Sequence, residues 1–151
     1  LFSNYISKAI RKKTNQFNIT KKPSSVAYIC GADMMIKSNL FKNLNGFDND
    51  FFLYFEETEL SYRVLKVKLE IHNVPKAKII HLEGGSQINS RKKLTYYNKS
   101  RKLFYRKRYA NIKYYTVCLL FYLKCILGLT KNLLFFNKNK IQNWYYNIIT
   151  F

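Results

Sequence analysis

Five of the eight acidic residues in this chain crowd into one stretch: Asp48, Asp50, Glu56, Glu57 and Glu59. The chain as a whole has 27 Lys and Arg and a net charge of +19, so this concentration of carboxylates runs against its composition. Phe51, Phe52, Tyr54 and Phe55 are interleaved with the acids. Carboxyl groups beside apolar side chains can have their pKa values pushed apart, as proton transfer by one acid and not its neighbour requires. His81 precedes Gly84, Gly85 and Ser86 and could converge on the same place, since loops at strand ends often carry function. A plainer reading stands beside this one. Acids in the first turn of a helix are favoured by its dipole, by about 0.3–1 kcal/mol each, and a solvated helix start needs no chemistry.

The elements around these residues follow from periodicity. Glu57, Thr58 and Glu59 open a helix whose Leu60, Val64 and Val67 face inward. VAYIC (26–30) is a short apolar run expected to form a buried strand ending at Gly31. Ser38 is placed to cap a helix that turns Leu40, Phe41 and Leu44 to one side, with Gly46 as its stop. EIHNVPKAKIIHL predicts two extended pieces around Pro75, the second ending at His81. Residues 1–25 are polar and basic, an irregular lead-in.

Three segments carry a family resemblance. CGADMMIK, GFDNDFFLYFEETELSYR and IHNVPKAKIIHLEGGSQ, in that order and spacing, resemble the second half of family 2 glycosyltransferases of the rhamnosyltransferase-like bacterial group, over residues 26–87. The resemblance implies an α/β fold, part of a GT-A type (Rossmann-like) domain, followed here by basic and amphipathic helices. It implies inverting transfer from a nucleotide-diphosphate sugar to a saccharide or lipid-linked acceptor. Glu57 then falls on the catalytic base. Glu56, Glu59, Asp48 and Arg63 shape or support the acceptor side, and Gly31 and Ala32 let the backbone approach the sugars. His81 falls on a metal or diphosphate ligand, and the cofactor implied is Mn²⁺ or Mg²⁺, with imidazole better suited to Mn²⁺.

The departures also matter. Glu57 and Glu59 stand where the family usually has Asp, and Lys68 where it usually has Gly. The family's Asp-x-Asp metal motif and nucleotide-binding units lie upstream of the matched part, and residues 1–25 do not supply them. The expectation is an acceptor-side piece, most metal ligands lying elsewhere, that turns over no sugar by itself. The expected divisions are 1–25, 26–90 and 91–151.

From Ser90 onward the composition changes. Ten Lys and Arg lie between Arg91 and Lys113 in a helical run with Tyr97 and Phe104 on its apolar side. The apolar run 114–129 is broken by Lys124, and a mid-span Lys costs about 2.5–3.5 kcal/mol on insertion scales. Lys113, Lys124 and Lys131 fall within about 20° of one another on a helix, a stripe shared by Leu120 and Leu127. This predicts a helix lying on an anionic membrane surface, and so a peripheral location on the cytoplasmic face. A core helix is the alternative. Cys30, Cys118 and Cys125 make no metal pattern, and Cys118 and Cys125 lie about 10 Å apart along a helix, too far for a disulfide. Two other functions are compatible with parts of the sequence: a non-catalytic membrane-associated remnant, and a nucleic-acid-binding module. The charge and aromatics suit the second, but it has no recognisable motif and leaves the acid cluster unexplained, so no nucleic-acid partner is expected.

Overall fold

β-Structure among the described residues is one short antiparallel pair, β1 (Ser24–Ser25) with β2 (His72–Asn73), in the register Ser24 to Asn73 and Ser25 to His72. The computed structural model describes residues 22–80 and 89–151. Val26 extends the ladder by donating its N–H to Ile71 O at 2.8 Å. The strand expected over 26–30 goes no further. Val26 is buried, whereas Tyr28 and Cys30 are exposed and the chain tightens into a 3₁₀ turn at Gly31–Asp33. The extended piece after Pro75 forms no strand up to Ile80, and Ile79 and Ile80 are exposed. An apolar run becomes a strand only when a neighbour takes its backbone groups, and beyond Val26 no described residue pairs with this run as a strand. The α/β expectation is therefore reduced to a mostly helical chain with a small two-stranded sheet.

The chain divides into two compact units, Leu1–Asp50 with Glu56–Glu83, and Phe51–Phe55 with Gly84–Phe151. The division differs from the expected boundary at residue 90, and the aromatic segment goes with the later helices.

In the first unit, α1 is Ser38–Asn43. Ser38 is its first helical residue, not its cap, and Lys37 occupies the cap position without a side-chain bond. Leu40, Phe41 and Leu44 do share a half-buried face. The helix stops in a Schellman pattern: Gly46 N–H bonds Phe41 O and Asn45 N–H bonds Lys42 O, both at 2.9 Å. Asn45 takes the left-handed conformation (φ 59°). Gly46 also has positive φ, and a Cβ there would sit 3.3 Å from the Phe41 ring, so glycine answers both demands. Next comes α2, Glu56–Lys66, with Leu60 and Val64 buried. Val67, expected inside, lies past the helix end and is exposed. The stop repeats the same pattern, Leu69 N–H to Val64 O at 3.3 Å and Lys68 N–H to Leu65 O at 3.0 Å, with Lys68 at φ 63°. Lys68 thus keeps the left-handed turn that a glycine would take without strain.

The second unit is built from α3 (Ser90–Arg108), α4 (Asn111–Leu134) and α5 (Lys138–Thr150). Asn89 caps α3, its side chain accepting from Arg91 N–H at 2.9 Å. Phe104 is buried as expected, but Tyr97 is partly exposed, and the fully buried residue on α3 is polar. Asn98 donates to Asn147 Oδ1 at 3.2 Å and Thr150 Oγ1 at 2.7 Å, and accepts from Arg101 at 2.8 Å. Close packing joins α4 to α5 at Gly128, where an added Cβ would lie 2.3 Å from the Trp144 ring. Cys118 and Cys125 are both free. Phe51–Phe55 packs on α3: Phe55 contacts Tyr97 and Phe104, and Leu53 O accepts from Ser100 Oγ at 2.7 Å.

Candidate active site

The acid cluster resolves into three different environments along the first turn of α2. Glu59 is buried and turned to Arg63 one helical turn on, with Nε to Oε1 at 2.9 Å and Nη2 to Oε2 at 2.7 Å. The guanidinium also donates to Leu44 O and, at 2.7 Å, to Gly46 O. Arg63 therefore fastens the start of α2 to the stop of α1, while Glu59 neutralises it. Both have their polar atoms engaged within the protein, so they support the site more than they offer contacts to a ligand. The i, i+4 spacing in the sequence announces the pair, but nothing local announces the two carbonyls.

Glu57 is different. It is half-buried, and burial is the main cause that pushes its carboxyl above the ordinary value of 4.5. The Glu56 charge adds to the rise, while its own backbone N–H and the Thr58 hydroxyl, 3.4 Å away, oppose it. Gly31 lies directly against it: a Cβ on Gly31 would meet Glu57 Cβ at 3.7 Å. The turn Gly31–Asp33, with Ala32 exposed upon it, thus lies against the base of the Glu57 side chain. The contact is ordinary van der Waals spacing, so glycine is not demanded there by the residues around it.

Glu56 Oε2 is buried with no hydrogen-bond partner among the described residues. A carboxylate oxygen in that state gains from any donor brought to it, and a sugar hydroxyl is such a donor. Asp48 serves its own loop, Oδ1 accepting from Asp50 N–H at 3.1 Å. His81 lies outside the described residues. Among the described residues no three His, Cys, Asp or Glu side chains gather to hold a metal ion.

The aromatics that separate the acids in the sequence group with the second unit. Two of them, Tyr54 (φ 68°) and Phe55 (φ 69°), hold left-handed backbone immediately before Glu56. Such residues cost about 1–2 kcal/mol each in that conformation. In chemical terms, the first unit presents one half-buried carboxyl of raised pKa, one carboxylate oxygen without a partner among the described residues, and a small-residue turn against the Glu57 Cβ.

Residues 11–84 match a family model described as the N-terminal domain of galactosyltransferase. This supports a glycosyltransferase domain, in coarser terms than a rhamnosyltransferase-like second half. The matched stretch contains Gly31, Ala32, the acid cluster and Arg63, and leaves α3, α4 and α5 outside it. No curated protein and no solved structure matches the chain.

Proposed function

With a glycosyltransferase domain as the premise, we propose that this chain takes part in transferring a sugar from a nucleotide-diphosphate donor to a saccharide or lipid-linked acceptor, with Glu57 as the base. The observation that carries the reading is Glu57 itself: half-buried, its carboxyl raised in pKa, and its Cβ against the Gly31 turn. A base with a pKa moved toward neutrality is better matched to removing a hydroxyl proton. In the step, Glu57 accepts the acceptor hydroxyl proton as that oxygen attacks the anomeric carbon. The bond from the anomeric carbon to the diphosphate breaks on the opposite face, the diphosphate leaves with the electron pair, and the anomeric configuration inverts. Glu56 holds a neighbouring hydroxyl of the acceptor through its unpartnered oxygen. Arg63 and Glu59 keep α2 in register with α1, and Gly31 and Ala32 line the acceptor side. In this reading Mn²⁺ or Mg²⁺ neutralises the diphosphate when bound. The described side chains make no site for it, so no step is assigned to it here. The name of the matched family makes galactose the first donor sugar to try.

The test is acceptor-dependent transfer with UDP-galactose and a panel of other nucleotide sugars, together with acceptor binding read by ligand-observed NMR. Glu57→Gln should lower transfer by about 10²–10⁴-fold with acceptor binding retained. Glu56→Gln should weaken acceptor binding. If Glu56→Gln abolishes transfer while Glu57→Gln leaves it intact, the base is Glu56. If neither changes binding or transfer, the acids are a solvated helix start.

A further inference from the structure

Helix α4 carries two opposite faces, of which one is used. Phe121, Cys125 and Gly128 pack inward: the Phe121 and Phe151 rings are 3.9 Å apart, Cys125 is buried, and Gly128 abuts Trp144. On the far side Ile112, Tyr115, Leu119, Leu123, Ile126 and Leu127 are all exposed, Leu119 at 60% and Leu127 at 69%. At 100° per residue these six occupy a sector about 120° wide, opposite the packed face. Lys113, Lys124 and Lys131, also exposed, form a row along one edge of that sector. The sequence gives the lysine row, and the structure adds which of the two apolar faces is exposed.

The unit's charge says what covers the stripe. Phe51–Phe55 and Gly84–Phe151 together carry fourteen of the 27 Lys and Arg residues and none of the eight Asp and Glu. A second copy of this unit would bring the same cations against the lysine row, so self-association is opposed. The complementary surface must be apolar and anionic at once. We infer that α4 lies in the plane of an anionic lipid surface, its stripe from Ile112 to Leu127 among the acyl chains and its lysine row at the headgroups.

The helix is also long and apolar enough to cross a bilayer by length and composition. Its packing opposes that orientation. The Arg101 guanidinium of α3 sits 4.2 Å from the centre of the Phe121 ring, close to the middle of α4, and Lys124 is one turn further on. Spanning would carry two cations to the depth where they are most costly. Lying flat leaves Arg101 on the side away from the lipid and lets Lys124 reach the headgroups. This inference is independent of the sugar-transfer reading, since it uses none of the residues at Glu57.

The experiment is sedimentation of the full chain with phosphatidylcholine vesicles, with and without phosphatidylglycerol. Binding is expected to the anionic vesicles, weakened by salt. Leu119→Glu with Leu127→Glu should abolish it while helicity and Trp144 emission stay unchanged, both residues being exposed. Lys113→Gln with Lys124→Gln and Lys131→Gln should weaken it by about a hundredfold, each near-surface Lys contributing about fivefold. Bound protein should be released by alkaline carbonate. Equal binding to neutral vesicles, or retention after carbonate, would overturn the inference, the second in favour of a spanning helix. Binding that survives the double Glu variant and is matched by single-stranded RNA would overturn it in favour of a general polyanion site.

Discussion

Replacing Arg63 with Ala separates a supporting role from a ligand-binding one. The side chain makes charge-assisted bonds to Glu59 at 2.7–2.9 Å and further bonds to Leu44 O and Gly46 O. Removing it strands the Glu59 carboxylate, whose side chain is only 11% exposed. Breaking a buried ion pair from one side costs about 3–5 kcal/mol. Arg63 itself is 23% exposed, so water can partly fill its place and the lower end applies. The expected loss is about 3 kcal/mol, which lowers a urea midpoint by roughly 1–2 M at an m-value of about 2 kcal/mol/M. Unfolding is followed by far-UV circular dichroism. Adding Glu59→Gln should return part of the loss, because the stranded charge is gone. Arg63→Lys should recover little, since one ammonium cannot reach the carboxylate and two carbonyls together. A loss below about 0.5 kcal/mol, the size of an ordinary surface change, would refute the clamp and return Arg63 to the ligand-facing residues.

Lys68→Gly should stabilise the chain by about 0.5–1 kcal/mol, the relief of left-handed strain outweighing the greater freedom of glycine when unfolded; an unchanged urea midpoint would contradict the strain. Glu57→Gln should raise stability near neutral pH. The folded pKa lies above the ordinary 4.5, so the folded state holds its proton more tightly, and stability falls as pH rises from that value through the raised pKa. The gain should vanish below about pH 4.5, where the carboxyl is protonated in both states, and a gain independent of pH would count against the raised pKa. Gly128→Ala should destabilise the second unit by about 1–2 kcal/mol. A helix preference for Ala of about 1 kcal/mol is outweighed by a methyl placed 2.3 Å from the Trp144 ring, with Trp144 emission shifted as the reporter.

Sequence periodicity located the helices that open at the acids and at Ser90, because each buries a patterned face, while the last helix, Lys138–Thr150, has no buried residue and was not marked by it. Leu60 and Val64 mark α2, and Phe104 marks α3. It placed the acids at the start of α2, where the dipole favours them. It failed where the outcome depends on a distant partner. VAYIC has strand composition, yet only Val26 finds a backbone acceptor, at Ile71. Asn98 lies in the basic helical run with no pattern that marks it, and it is buried with bonds supplied by Asn147 and Thr150, some fifty residues later. The aromatics interleaved with the acids in the sequence group with the later helices. Within the site, the raised carboxyl of Glu57 follows from a burial that no local pattern encodes.

The separation of charge between the two units has an experimental consequence. All eight carboxyl side chains and both histidines belong to the first unit, Leu1–Asp50 with Glu56–Glu83. The second unit has neither kind of group, so its side-chain charge stays fixed across the range, about pH 3 to 7, in which carboxyls and imidazoles titrate. A pH titration of the whole chain is thus a selective probe of one half of it. Proton uptake by side chains in that range originates in the first unit, while the side-chain charges of the cationic helices do not change.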